Sequence, residues 1–181
     1  MKMVESDSLA QIVIGCKRGD ASCFSQLVDI YASRGYGYFY RLTGSSDVSD
    51  DLLSELFVKL VEKINSYKGG SFEGWLFRVA SNVFHDYLRD KQRQERLLKS
   101  QKRRIESKAP DDKVSESERI DKLQEQLGKL DADIRELIIL RFYSQVSFKE
   151  IAAMRSEPIG TTLSKLHRGL KKLRELMEQK L

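Results

Sequence analysis

Proline is almost absent from this chain, since only Pro110 and Pro158 occur in its 181 residues. Proline ends or kinks a helix, so its scarcity leaves long stretches free to be helical. Apolar residues recur at spacings of three and four along most of these stretches, and no convincing alternation of period two occurs. The sequence therefore predicts an all-α protein.

Four helices are predicted in the first half of the chain. The first carries an apolar stripe that begins at Leu9 and stops before Gly19. Asp20, Asp47 and Ser71 are residue types that cap helices, and each precedes a further apolar stripe. The segment 66–71, which contains two glycines, is predicted to be a loop between the third and fourth helices.

The composition changes abruptly at Arg89. From Arg89 to Lys108 there are nine basic residues and only three acidic ones, and 107–118 holds Pro110, three serines and almost no large apolar residue. This pattern predicts a helix tail that runs into a flexible linker, with a solvated charged helix as the alternative. Apolar periodicity resumes at Ile120. We therefore predict two small helical domains, 1–95 and 120–181, joined by a basic and polar linker at 96–119.

The second domain contains a helix-turn-helix pattern. Asp131 can cap a helix that runs to Phe142, Ser147 and Glu150 form a capping box for a short helix, and Pro158 stands where a long basic helix begins. This order of elements is the one that places side chains in the major groove of DNA. The alternative is a helical hairpin that packs on another protein. The excess of basic over acidic residues from Arg141 onward favours DNA.

Composition and residue spacing exclude several classes of protein. The net charge of +5 permits a nucleic-acid partner without proving one. No apolar run approaches the roughly 18 residues that span a bilayer, and the N-terminus does not resemble a signal peptide. Cys16, Cys23, His85 and His167 form no ligand cluster, and there is no glycine-rich phosphate loop or nucleophile constellation. We expect a soluble cytoplasmic protein with no membrane insertion, no catalytic residue, no cofactor and no metal.

Three segments, taken in order, resemble an RNA polymerase sigma factor of the sigma-70 family, extracytoplasmic-function (ECF) subfamily. Residues 49–57 resemble region 2.2 of that family. Residues 72–82, continuing to Asp86 and Arg89, resemble the promoter-melting segment, and residues 150–161 with 166–168 resemble region 4.2. The order and spacing of these segments extend the resemblance over nearly the whole chain.

The resemblance implies a protein that binds core RNA polymerase, directs it to promoters through the −10 and −35 elements and assists strand opening. Its implied partners are promoter DNA, the clamp of the largest polymerase subunit, the flap of the second-largest subunit and an anti-sigma factor. The implied polymerase-binding residues are Asp50, Asp51, Ser54 and Glu55. The implied −10 residues are Lys68, Ser71, Arg78, Asn82, Asp86 and Arg89. The implied −35 residues are Arg141, Thr161, Thr162, Leu163, Ser164, Lys165, His167, Arg168, Lys171 and Lys172.

The linker length agrees with such a role. The −10 and −35 elements lie roughly 80 Å apart at about 3.4 Å per base pair. A single compact body of this mass would not reach both, whereas two domains on a linker of about 20–30 residues would, at about 3.3–3.6 Å per residue.

The sequence departs from the family pattern at several positions. Ser54 stands where glutamine is usual, and Arg155, Ser156 and Glu157 replace Leu-Gly-Ile around the turn. Leu163 stands where a basic residue is common, so we expect an unusual −35 preference. Two other classes remain open: a conventional helix-turn-helix regulator that binds duplex DNA without polymerase, and an adaptor or anti-sigma-like protein.

Overall fold

The computed structural model describes residues 2–101 and 118–178, with side chains over 8–97 and 122–178. Every regular element in these residues is helical, which confirms the all-α prediction. The α-helices in the described residues are α1 Lys2–Lys17, α2 Ala21–Thr43, α3 Ser46–Lys63, α4 Phe72–Gln101, α5 Glu118–Gly128, α6 Ala132–Ile138, α7 Phe148–Met154 and α8 Ile159–Glu178. A 3-10 turn at Ile64–Ser66 follows α3, and a π-helical turn at Ile139–Tyr143 extends α6.

Short polar side chains cap four of these helices, α2, α3, α4 and α7. The carboxylate of Asp20 accepts a hydrogen bond from the backbone N–H two residues on at 2.8 Å, and the hydroxyl of Ser71 accepts one from the N–H three residues on at 2.9 Å. These two predicted caps are therefore confirmed. The cap of α3 is Ser45 rather than Asp47, because the Ser45 hydroxyl bonds the backbone N–H of Val48 and starts the helix two residues early.

In the helix-turn-helix region, α7 has a side-chain cap and α6 does not. The predicted capping box is present, because the hydroxyl of Ser147 accepts from the backbone of Glu150 at 3.2 Å and the Glu150 carboxylate accepts from the backbone of Ser147 at 3.0 Å. Asp131 precedes α6 as predicted, but its side chain makes no capping hydrogen bond. The helix expected to reach Phe142 consists of α6 and the π-helical turn.

The first four helices bury their apolar stripes against one another. Leu27, Leu56, Phe77 and Phe84 are at most 2% exposed and lie at the centre of this core. Burying such a side chain contributes about 1.5–3 kcal/mol. Trp75 lies at the edge of the core, where its ring is 5.5 Å from that of Phe72 and 5.7 Å from that of Tyr67. This packing agrees with a core role for the tryptophan.

The two halves of the chain share a continuous core in this conformation. Helix α2 contacts α5, α6 and the π-helical turn, and the fully buried Leu137 and Leu140 belong to the same cluster as Tyr38 and Phe77. Residues 96–101 of the predicted linker continue α4, and 118–119 lie in α5. The middle of that linker, 102–117, lies outside the described residues. The domain boundaries at 95 and 120 stay predictions.

We expect the Ser147→Ala variant to be less stable than the wild type by about 1 kcal/mol, because it removes the cap of a seven-residue helix. The free energy of unfolding in urea measures this loss. The Ser25→Ala variant is a matched control, since Ser25 is exposed within α2 and alanine favours helix there. Equal stability of the two variants would contradict the capping role.

Candidate nucleic-acid and polymerase interfaces

Helix α4 presents a row of polar side chains to solvent. Arg78, Asn82, Asp86 and Arg89 are all exposed and follow one another at intervals of three or four residues. Asp86 and Arg89 form an ion pair. The opposite side of the helix is buried, with Val83 only 2% exposed. The structure therefore brings the predicted −10 residues of this helix together on one exposed side of α4.

The loop before α4 adds two exposed predicted −10 residues, Lys68 and Ser71. Between them Gly69 and Gly70 have φ values of 100° and 87°, a left-handed conformation that glycine adopts at little cost. The hydroxyl of Tyr67 closes the loop by donating to the carbonyl of Gly70 at 2.7 Å. An open cleft of about 750 Å³ separates this loop from α1.

The predicted polymerase-binding residues lie on α3. Asp50, Asp51, Ser54 and Glu55 are exposed, whereas the other side of the helix is buried through Leu52, Leu56 and Leu60. Val58 and Val61 lie on the same helix and are 56% and 52% exposed. The surface of α3 thus combines acidic groups with apolar side chains open to solvent.

Helix α8 divides the predicted −35 residues between two sides. Seven of them are exposed: Thr161, Leu163, Ser164, His167, Arg168, Lys171 and Lys172. Thr162 departs from the expectation, because it is fully buried in line with Leu166 and Gly169. Its spacing of four and seven residues from these two places it on the inner side of the helix.

Two other predicted −35 residues are held by neighbours. The guanidinium of Arg141 lies 4.8 Å from the ring centre of Phe148 and donates to the carbonyl of Val146 at 3.4 Å. The ammonium of Lys165 forms an ion pair with Glu157, and its side chain is 29% exposed. Both cations therefore already interact with groups of the protein itself.

A buried carboxylate joins the two halves of the chain. Glu136 of α6 is 1% exposed and accepts hydrogen bonds from the hydroxyls of Tyr38 at 2.9 Å and Ser81 at 2.6 Å. Its second oxygen lies 2.9 Å from Nε2 of His85 and 3.5 Å from the guanidinium of Arg155. Sequence reasoning missed this cluster. Its one signal is the pair Ser81 and His85, which interrupts an otherwise apolar side of α4 at a spacing of four.

The protonation states in this cluster follow from its geometry. Burial raises the pKa of Tyr38 far above its ordinary value, so its hydroxyl stays protonated and donates. Burial alone would favour the neutral acid of Glu136. The hydrogen bond and the charge of His85 lower the pKa of this carboxyl, and so do the hydrogen bonds from Ser81 and Tyr38. The hydrogen bond to Glu136 raises the pKa of His85. The site therefore holds an ionised carboxylate that favours a protonated histidine.

Backbone carbonyls at the end of α2 also receive donors from the second half. The amide of Gln124 donates to the carbonyl of Tyr40 at 2.9 Å. Arg135 donates to the carbonyl of Leu42 at 2.5 Å and to that of Leu127 at the end of α5 at 2.8 Å. Leu42 lies in the last turn of α2, where a helix leaves carbonyls without an intrahelical partner. The carbonyls of Tyr40 and Leu127 also accept from the backbone N–H groups of Gly44 and Leu130.

Glu150 of α7 lies against two of the predicted −10 residues. Burial opposes its ionisation, but hydrogen bonds from Ser147 and Ser71 and the charge of Arg78 lower its pKa. Gly74 makes this approach possible, because a Cβ atom there would collide with the Glu150 carboxylate. An acidic group of the second half thus lies beside Ser71 and Arg78 of the first.

The described residues contain no group of three or more histidine, cysteine, aspartate or glutamate side chains arranged to hold a metal ion. Cys16 is buried and Cys23 is partly exposed, and both are free thiols. Within the described part of the chain no helix has the length and apolar character needed to cross a bilayer.

Comparison with known proteins agrees with this architecture. The model of sigma-70 region 2 matches residues 27–94, and that of sigma-70 region 4 matches residues 120–173. The chain is 28% identical to the ECF RNA polymerase sigma factor SigW of Bacillus subtilis, over 97% of each chain. It is 30% identical to the ECF RNA polymerase sigma-E factor of Escherichia coli, over 84% of this chain and 85% of that protein. The solved complex of the sigma factor RpoE with the anti-sigma factor NepR from Bartonella quintana contains a similar fold, with 28% identity and a TM-score of 0.72 over 86% of this chain and 96% of that one.

The chain therefore belongs to the sigma-70 family of RNA polymerase sigma factors, in its ECF group. It is a sigma factor that binds core RNA polymerase and directs promoter-specific initiation, and it is not an enzyme. The alternative of a conventional regulator that acts without polymerase is not favoured.

The buried cluster predicts a pH dependence of stability. His85 faces Glu136 and Asp133 of α6 and Arg155 after α7. Because the pKa of His85 is raised, the stability that its protonated ring contributes is fully present below 6.5, the ordinary pKa of histidine. This contribution is lost as the pH rises through the raised value. The lowered pKa of Glu136 makes its contribution present above 4.5 and lost as the pH falls through the lowered value.

We expect the free energy of unfolding of the wild type to fall between about pH 6 and pH 8, and this fall to be smaller in the His85→Gln variant. Glutamine keeps a donor for Glu136 but does not titrate. Urea unfolding at both pH values gives the comparison, and the His167→Gln variant controls for the loss of a histidine at an exposed position. An unchanged fall in His85→Gln would contradict the role of this group.

Proposed function

We propose that this sigma factor contacts promoter DNA through two exposed rows, one in each domain. Arg78, Asn82, Asp86 and Arg89, with Lys68 and Ser71 of the preceding loop, bind the −10 element. Thr161, Leu163, Ser164, His167, Arg168, Lys171 and Lys172 bind the −35 element. The observation that carries this proposal is the exposure of both rows along helices whose opposite sides are buried.

The −10 row has the chemistry for capturing an unpaired base. The amide of Asn82 offers both a donor and an acceptor to a base edge, and Arg78 and Lys68 offer cations to phosphates. The glycines of the loop allow a close backbone approach. Unpairing costs a few kcal/mol, which base capture and phosphate contacts offset.

The acidic surface of α3 is the proposed docking site for the clamp of the largest polymerase subunit. Asp50, Asp51 and Glu55 supply negative charge to a basic partner, and Ser54 lies among them. The second domain is proposed to meet the flap of the second-largest subunit. We also propose an anti-sigma partner, because the similar structure from Bartonella quintana is a complex with one. We also propose a cytoplasmic location, because core RNA polymerase and promoter DNA are the partners of this protein.

Promoter binding requires the two domains to separate. A compact chain of 181 residues has a radius of gyration of about 16 Å and measures about 40 Å across. The −10 and −35 elements lie roughly 80 Å apart. The contacts of Glu136 with Tyr38, Ser81 and His85 must therefore open, and Glu150 must leave Ser71 and Arg78.

Run-off transcription on a pooled promoter library tests the proposal. We expect bacterial core polymerase to start at new sites when the protein is added, and these sites to share spaced −10 and −35 sequences. Selective binding of duplex DNA by the protein alone, with no new start sites from active core, would instead indicate a conventional regulator.

We expect the Asn82→Ala variant to form open complexes about tenfold less well while it binds core polymerase normally, because base-edge hydrogen bonds contribute about 1–3 kcal/mol. Permanganate reactivity of unpaired thymines measures opening, and co-migration with core measures polymerase binding. The Gln94→Ala variant removes an exposed amide farther along α4 and serves as the control. An equal loss of opening and of core binding in Asn82→Ala would count against base capture.

A further inference from the structure

A cluster of ion pairs holds the turn between α7 and α8. Arg155 is 13% exposed, and its guanidinium lies 3.1 Å from the carboxylate of Asp133 and 3.5 Å from those of Glu136 and Glu157. Ser156 takes a φ of 52°, a left-handed conformation that a β-branched residue rarely adopts. Arg155 and Glu157, two of the residues that depart from the family pattern, are therefore joined by an ion pair.

Glu157 connects this cluster to the proposed DNA-reading helix. Its side chain is 12% exposed, and its carboxylate accepts a hydrogen bond from the hydroxyl of Thr162 at 2.9 Å and forms an ion pair with Lys165. Burial opposes the ionisation of Glu157, but the hydrogen bonds of Lys165 and Thr162 and the charges of Lys165 and Arg155 lower its pKa. One carboxylate thus binds two residues of the first turns of α8.

Three other cations of α8, all of the proposed −35 row, differ from Lys165. Arg168, Lys171 and Lys172 are exposed. Within the described residues, the one hydrogen bond of the Arg168 side chain runs from its Nε to the carbonyl of Ser164 on the same helix, at 3.4 Å. These three side chains are free to reach phosphates, whereas the charge of Lys165 is balanced within the protein.

We propose that Glu157 is a positioning residue that withholds Lys165 from DNA phosphates and so limits sequence-independent binding of duplex DNA. This inference rests on the proposed function of α8. Each cation–phosphate contact releases a counterion and adds about 0.9 to the slope of log affinity against log salt concentration, whatever the sequence. Binding Lys165 to Glu157 removes one such contact from every duplex, and recognition then depends more on the exposed side chains of the −35 row.

The Glu157→Gln variant tests the inference with little change of shape. Glutamine has nearly the same size and still accepts the hydroxyl of Thr162, but it carries no charge to hold the ammonium of Lys165. We expect the full-length variant to bind a random-sequence duplex about three- to tenfold more tightly near 0.1 M salt, with a salt slope steeper by about 0.9. Fluorescence anisotropy from about 50 to 200 mM salt measures both quantities.

A double-mutant cycle assigns the effect to Lys165. We expect Lys165→Met to lower the affinity more in the Glu157→Gln background than in the wild type, by about the same three- to tenfold. The Glu175→Gln variant is the matched control, because it makes the same change of net charge elsewhere on α8. In the Glu175→Gln background, Lys165→Met should lower the affinity for DNA by the same factor as in the wild type.

Three outcomes would overturn the inference: a wild-type salt slope in Glu157→Gln, weaker binding in that variant, or an equal effect of Lys165→Met in both backgrounds. Selection of −35 sequences by the reconstituted holoenzyme is measured separately. If the wild-type holoenzyme enriches no −35 sequence, the proposed function of α8 is wrong. The cycle on random duplex judges the role of Glu157 by itself.

Discussion

The packing of the two domains depends on a buried carboxylate, Glu136, set in the apolar core that α2 shares with α5, α6 and the π-helical turn. An ionised carboxylate that is 1% exposed is costly unless donors surround it, and here Tyr38, Ser81 and His85 come from the first domain while Arg155 comes from the second. Separation of the domains removes three of these partners together. Because water solvates each of the separated groups, a polar contact of this kind is easier to reopen than an apolar core of equal size.

Helix α4 carries both this contact and the proposed −10 row, on adjacent sides of the helix. Helix α4 directs Ser81 and His85 toward the second domain, while Asn82 and Asp86 remain exposed one position farther along. Arg155 extends the network from Glu136 to Glu157 and from there to α8. The packing of the domains is therefore connected to both proposed DNA-binding rows through one network of polar and charged side chains.

Local chemistry made much of the fold predictable. Helix positions followed from apolar spacing, and the caps at Asp20, Ser71 and Ser147 followed from residue types that bond a backbone N–H two or three positions away. Asp47 was a poorer guide, because Ser45 also offers a capping oxygen and sequence alone does not rank two adjacent candidates. The sigma-70 resemblance rested on the order of motifs, which the family matches to residues 27–94 and 120–173 confirm.

The sequence by itself determined which elements form and which sides of α3 and α4 are exposed, because both depend on intervals of three or four residues along one helix. Tertiary structure decided that Thr162 is buried, that Glu157 binds Lys165 eight positions away and that Glu136 meets Ser81 of the other domain. These contacts depend on how a turn bends and how two helices cross. Such geometry arises from packing of residues distant in the chain, which local periodicity does not encode.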